Sequence, residues 1–174
     1  KVRKKQSLGL RPGQKIVLQV LLSTAIGLVF IWMGSRGEFN LSLSFPFLKQ
    51  WLPFLGWFYL PWIVFILVGS SNAVNLADGL DGLAIGLTLI SATALTALTY
   101  VAGHALWSQY LNIARVPLAA ELTVFVGAFA GACLGFLWFN CHPAQVFMGD
   151  VGALSLGGTM AVIALLIKQE FLLF

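Results

Sequence analysis

The chain has 174 residues, of which 59% are hydrophobic and 9% charged, with a formal net charge of +4. Soluble domains carry roughly a quarter charged residues, and a mean hydropathy of +0.92 leaves too little polar surface to face water. These values exclude a soluble globule and point to an all-α integral membrane protein whose apolar surface is solvated by lipid.

Hydropathy draws about five spans, at roughly 16–33, 58–74, 83–102, 119–138 and 152–168. The basic start followed by an apolar run imitates a signal peptide. The run is long for such a segment and lacks a small-residue cleavage site, so it is read as a retained span. Between the first two spans, Glu38-Phe39-Asn40-Leu41-Ser42-Leu43-Ser44-Phe45 alternates apolar and polar residues, the pattern of a half-buried strand, and Pro46 ends it. Phe47 to Phe58 mixes aromatics with Lys49 and Gln50, which suits an element lying in the headgroup layer with Trp51 and Trp57 at the interface. The region 34–57 is thus expected to hold a short strand-like or interfacial element. No repeat or linker divides the chain, and residues 1–174 read as a single membrane domain. Cys133 in a span and Cys141 in a loop suggest neither a disulfide framework nor a zinc site.

Lys1, Arg3, Lys4, Lys5, Arg11 and Lys15 precede the first span and hold six of the ten basic residues. This cluster orients the chain with that end in the cytoplasm. It also suits anionic lipid and, for one or two lysines, a polyanionic substrate. Counting crossings then puts 75–82 and 139–151 on the same cytoplasmic face.

Those two segments carry the chemistry. Only six residues are acidic, and Asp78, Asp81 and Asp150 fall in Asn75-Leu76-Ala77-Asp78-Gly79-Leu80-Asp81-Gly82 and Phe147-Met148-Gly149-Asp150-Val151-Gly152. Carboxylates at a bilayer edge are costly unless they bind a metal, proton or substrate, and flanking glycines let a phosphate or ion approach the backbone. Asn72, Asn75, Asp78 and Asp81 recur every third residue where the second span ends. Capping and turn formation account for Asn72, whereas Asp78 and Asp81 in so apolar a chain point to function. Asp150 reads either as an N-cap of the fifth span or as a metal ligand beside helix N–H groups that hold phosphate. Asn140 adds an uncharged hydrogen-bonding group on the same side. Phe147 offers membrane packing or a stacking face, with packing the simpler reading. His142 has a bland loop reading beside Pro143, and His104, on the opposite face, is given no role.

These motifs resemble the polyprenyl-phosphate N-acetylhexosamine-1-phosphate transferases. The resemblance rests on Asn75 to Leu83, Phe139-Asn140, Pro143 to Gly152 and Leu156-Gly157-Gly158. Ser70-Ser71-Asn72-Ala73-Val74 and Pro143 to Met148 are most similar to the bacterial branch whose donor is UDP-MurNAc-pentapeptide. The resemblance implies a Mg²⁺-dependent transfer of phospho-MurNAc-pentapeptide to undecaprenyl phosphate, giving lipid I and UMP, in the bacterial cytoplasmic (inner) membrane. It implies that Asp150 holds Mg²⁺ and that Asp78 and Asn75 belong to the catalytic cleft. Gly79, Leu80, Asp81 and Phe147 would shape a uridine pocket, with Asn140 as a further contact. Lys1 would match the lysine closing the family's Asp-Asp-x-x-Lys motif, and Lys5 and Lys15 would touch phosphate or nucleotide. The paired aspartates and a histidine-rich loop of the family are absent, and Ala153 and His142 depart from its usual Ser and aromatic. The chain is therefore expected to be the central part of a longer, roughly ten-span enzyme, inactive alone. A homodimer is compatible with the apolar spans, and no nucleic-acid partner is expected. The alternatives are a sister transferase using UDP-GlcNAc and, from another class, a transporter with a carboxylate-lined path.

Overall fold

The computed structural model describes residues 12–45 and 53–173. Six α-helices follow one another: α1 Pro12–Ser35, α2 Tyr59–Ala77, α3 Leu83–Gly103, α4 Ala105–Tyr110, α5 Ala119–Asn140 and α6 Gly149–Leu166, with short 3₁₀ turns at Gly56–Phe58 and Glu170–Leu173. All but α4 are long and apolar enough to cross a membrane. They fall on the five expected spans, each within a few residues of the expected ends. Large apolar side chains such as Leu21, Leu22, Ile90 and Val124 face outward, as they must where hydrocarbon is the solvent. The helix hydroxyls follow the same rule. Thr24, Thr88, Thr93, Thr96, Thr123 and Thr159 each donate to the carbonyl four residues back, so none needs water.

The expected strand is not formed. Leu41 and Leu43 are buried, as the alternation requires, but pairing stops at a single antiparallel bridge between Ser42 and Phe54. Leu43 N–H reaches Pro53 O and Leu55 N–H reaches Leu41 O, both at 3.1 Å. The Ser42 N–H is taken by its neighbour Asn40 Oδ1 at 3.0 Å, and Pro53 has no N–H to extend a ladder. Trp57 and Phe58 are exposed on the following turn, in keeping with an interfacial element; Trp51 lies outside the described residues. The helix α4 was not foreseen. His104 Nδ1 caps it by accepting from Trp107 N–H at 3.4 Å.

Packing runs through α6. α3 lies along α5, α1 along α2, and α2 along α6. Ala161 and Leu165 of α6 enter one apolar core with Phe30, Tyr59, Ile63 and Ile66. Met160, Ile163 and Ala164 of the same helix enter a second core with Leu95, Ala102 and Val126. Where α2 and α6 cross, Gly157 is buried against the Ser70–Ser71 backbone, with no room for a Cβ, and Ser70 Oγ donates to Gly157 O at 2.9 Å.

At the end of α6 away from Asp150, a charge pair is sealed inside. Tyr59 Oη donates to Glu170 Oε1 at 2.6 Å and accepts from Lys168 Nζ at 2.8 Å. The ammonium also lies 4.4 and 4.3 Å from the ring centres of Phe39 and Tyr59. Burial pulls Lys168 down to about 8 against the opposing pull of Glu170, and burial likewise pushes the Glu170 carboxyl up. Lys168 takes the left-handed position (φ 59°) after α6, where Gln169 N–H closes back on Ala164 O at 2.8 Å. Glycine usually fills that position; here the internal ion pair holds a lysine there. Glu170→Ala strands this ammonium and is expected to lower stability by about 3–5 kcal/mol. The double variant Lys168→Met/Glu170→Gln is expected to recover most of that loss, as read by unfolding of the full-length protein in detergent.

Candidate functional site

The start of α1, the end of α2, the starts of α3 and α6 and the end of α5 converge at one end of the bundle. α2 runs helically to Ala77, and Asp78 N–H still bonds Val74 O at 3.2 Å. The chain then turns through Gly79 and Leu80, and Gly82 starts α3 with φ 76°, a conformation that L side chains rarely adopt. On the other side, Gly149 takes φ 67° to open α6. The polar series Asn72, Asn75, Asp78, Asp81 therefore unwinds from helix to turn, as its glycines anticipate.

Three helices place three polar side chains in mutual contact. Lys15 Nζ of α1 donates to Asn75 Oδ1 of α2 at 2.7 Å and to Asp150 Oδ2 of α6 at 3.1 Å. Asn75 Nδ2 closes the triangle on Asp150 Oδ1 at 3.0 Å. Asp150 is the second residue of α6 rather than its N-cap, and its carboxylate serves neighbouring helices. The Asp150 side chain is 70% exposed against 21% for Lys15, so the triangle is open on its acidic side. Asn72, one turn earlier, lies inside α2 and neither caps a helix nor forms a turn, contrary to the sequence reading; it is tied to Gln19 Oε1 of α1 at 3.0 Å and to Val68 O. Asp78, half-buried between Asn75 and Asp81, has no polar side-chain partner among the described residues.

A second cluster joins the two loops. Asn140 is buried, and both amide atoms are engaged: Oδ1 accepts from Gly82 N–H at 3.2 Å and Nδ2 donates to Val146 O at 2.7 Å. The structure thus gives Asn140 a role holding the loops together. Asp81 Oδ2 accepts from Ala144 N–H at 3.2 Å and faces His142 Nδ1 at 3.2 Å. The sequence places His142 in this loop as a group able to titrate or bind metal, with a bland loop reading favoured; its contact with Asp81 is visible only in the fold. Gly79, Leu80 and Phe147 are exposed. Phe147 lines a cavity of about 360 Å³ with Ile85, Phe129, Cys133 and Phe136. Lys1 and Lys5 lie outside the described residues.

A larger apolar groove of about 670 Å³ begins at Lys15 and runs between α1 and α6, lined by Leu18, Leu22, Phe125, Leu154 and Val162. One end of it touches the polar triangle, and the rest is mostly apolar, with Gln19, Ser23, Ser71, Ser155 and Thr159 among its lining.

A membrane bundle that gathers its carboxylates beside such a groove fits an enzyme working on an amphiphile. Residues 7–168 match the glycosyl transferase family 4, and the chain belongs to that family. It is 50% identical to the phospho-N-acetylmuramoyl-pentapeptide-transferase of Solibacter usitatus, over 99% of this chain and 50% of that protein. The proteins of the same name from Pelobacter propionicus and Aquifex aeolicus are 53% and 52% identical, over 99% and 98% of this chain and 48% and 47% of theirs. The chain spans about half the length of the curated relatives it matches.

Asn140→Ala removes the Gly82 tie between the two loops and the Val146 brace within the α5–α6 loop, leaving the Gly82 N–H and the Val146 carbonyl without those partners. It is expected to cost about 1–3 kcal/mol and to speed hydrogen exchange of the Gly82 amide, read by mass spectrometry of the α2–α3 loop.

Proposed function

We propose that the full-length protein transfers phospho-MurNAc-pentapeptide from its UDP carrier to undecaprenyl phosphate, releasing UMP and leaving lipid I in the membrane. The observation that carries this reading is the convergence of Asn75 Oδ1 and Asp150 Oδ2 on one cationic nitrogen, that of Lys15, at the mouth of an apolar groove. The reading also draws support from relatives about half identical that bear the transferase name.

The groove suits a polyprenyl tail, and Lys15 at its polar end suits the phosphate that the tail carries. On the same face, the turn of Gly79, Leu80 and Asp81 suits the uridine of the donor, with the exposed ring of Phe147 as a stacking face. Asp78, at the end of α2 and unpartnered among the described residues, is the carboxylate left to act in the cleft. The basic cluster before α1 supports a cytoplasmic placement of this face, where a nucleotide donor is made.

The donor set fits Mg²⁺. Two oxygens already surround a cation, and Mg²⁺ is commonly held by one or two carboxylates together with substrate phosphates. Asp150 would hold it, with Asn75 as a neutral oxygen and Lys15 released to a phosphate. Bound there, Mg²⁺ would neutralise the pyrophosphate charge that grows as UMP leaves. The protein's own part is to bring the two phosphates together and to hold the acceptor's hydrocarbon out of water.

The test is UMP release by the full-length protein in detergent with undecaprenyl phosphate and Mg²⁺. Turnover of UDP-MurNAc-pentapeptide is expected, with UDP-GlcNAc inert. Asp150→Asn is expected to lower the rate by at least ~10²-fold, and chelation to abolish activity until Mg²⁺ is restored. Turnover of UDP-GlcNAc instead would assign the sister reaction, and no turnover of either by folded protein would sink the proposal.

A further inference from the structure

Asp81 belongs to the turn proposed to receive the donor, but its partner His142 has no part in the scheme so far. Asp81 Oδ2 takes both contacts, from Ala144 N–H and with His142 Nδ1, each at 3.2 Å. Asp81 Oδ1 has no partner among the described residues. An ionised carboxylate can only accept, so the imidazole nitrogen facing it carries the proton, whether the ring is neutral or charged.

The loop does not need this ring in order to fold. Its backbone is fixed by Cys141 N–H on Leu137 O at 2.8 Å and by Gln145 and Val146 N–H on Phe139 O at 2.8 and 3.2 Å. Asn140 ties it to Gly82 besides. The His142 side chain is 85% exposed, and a pair in water contributes little to stability. What the contact does accomplish is to fix a carboxylate. With Oδ2 held from two directions, Asp81 cannot rotate freely, and Oδ1 is left as an acceptor without a partner among the described residues.

We propose that His142 is a positioning residue for donor recognition. With the Ala144 N–H it holds the Asp81 carboxylate so that its free oxygen meets an N–H donor of the nucleotide base. The inference rests on the reading that the α2–α3 turn receives the donor. A uracil ring offers one imide N–H, and an acceptor already aimed at it spares the ordering cost of a mobile side chain.

The experiment uses the full-length protein and UDP-MurNAc-pentapeptide at saturating undecaprenyl phosphate, comparing His142→Ala, His142→Asn and His142→Gln. An asparagine amide lies near the place of imidazole Nδ1, and a glutamine amide near that of Nε2. His142→Ala and His142→Gln are expected to raise KM for the donor roughly two- to fivefold, the effect of losing one exposed charge-assisted contact. Their kcat is expected to change much less, the mark of lost ground-state binding. His142→Asn should bring KM back towards wild type, and the unfolding midpoint should hold across the series. An unchanged KM in His142→Ala would overturn the proposal. So would rescue by glutamine in place of asparagine, which would put Nε2 on the donor itself, and so would a joint fall of kcat and unfolding midpoint, which would make the ring structural. A wild-type protein that releases no UMP from this donor would overturn the proposed reaction first and this inference with it.

Discussion

Hydrocarbon offers an unpaired charge or hydroxyl no partner, and that constraint arranges the rest of this protein. The threonines of the spans bond their own helices. No acidic residue sits in the middle of a span: Asp78, Asp81 and Asp150 occupy helix ends and a turn at one side, while Glu38, Glu121 and Glu170 lie towards the other. What the helices present is two polar ends, one sealed and one open.

The sealed end explains how the open end is held. Tyr59, Lys168 and Glu170 anchor the far end of α6 to the start of α2, and Gly157 lets the two helices meet backbone to backbone midway. From that crossing to Asp150 is about two helical turns, or roughly 10 Å. Asp150 is thus placed against Asn75 by a rigid helix pair fixed at two points. The triangle with Lys15 needs no buried charge of its own, and it stays open to solvent on the side of Asp150.

The spans were legible in the sequence because lipid demands long apolar runs and nothing in this chain interrupts them. The site was legible for the same reason: Asp78, Asp81 and Asp150 stand out only against an oily background, and the even number of crossings between them put them at one end. What hydropathy could not supply was pairing. The alternation of 38–45 was real, since Leu41 and Leu43 are buried, but Asn40 captured the amide that a strand would have used. Asn140 reads as a polar group on the correct face, yet only the fold shows both ends of its amide engaged. Lys168 and Glu170 lie two residues apart just past the last span, and nothing in that spacing announces Tyr59, more than a hundred residues earlier.

The two clusters at the open end are built on different physics. Lys15, Asn75 and Asp150 meet across three helices through charge, and a substrate phosphate or a metal could redistribute those contacts without moving a helix. Asn140, Gly82, Ala144 and Asp81 meet through backbone amides, which have no counter-ion to exchange and therefore stay fixed. On the proposed reaction, this division suits the two halves of the task. Reacting phosphates need groups that can rearrange as charge passes from donor to product, whereas a nucleotide has to be recognised by groups that do not move. Asp81 belongs to the fixed set through Ala144, and its other oxygen has no partner among the described residues, which suits the proposed contact with the donor.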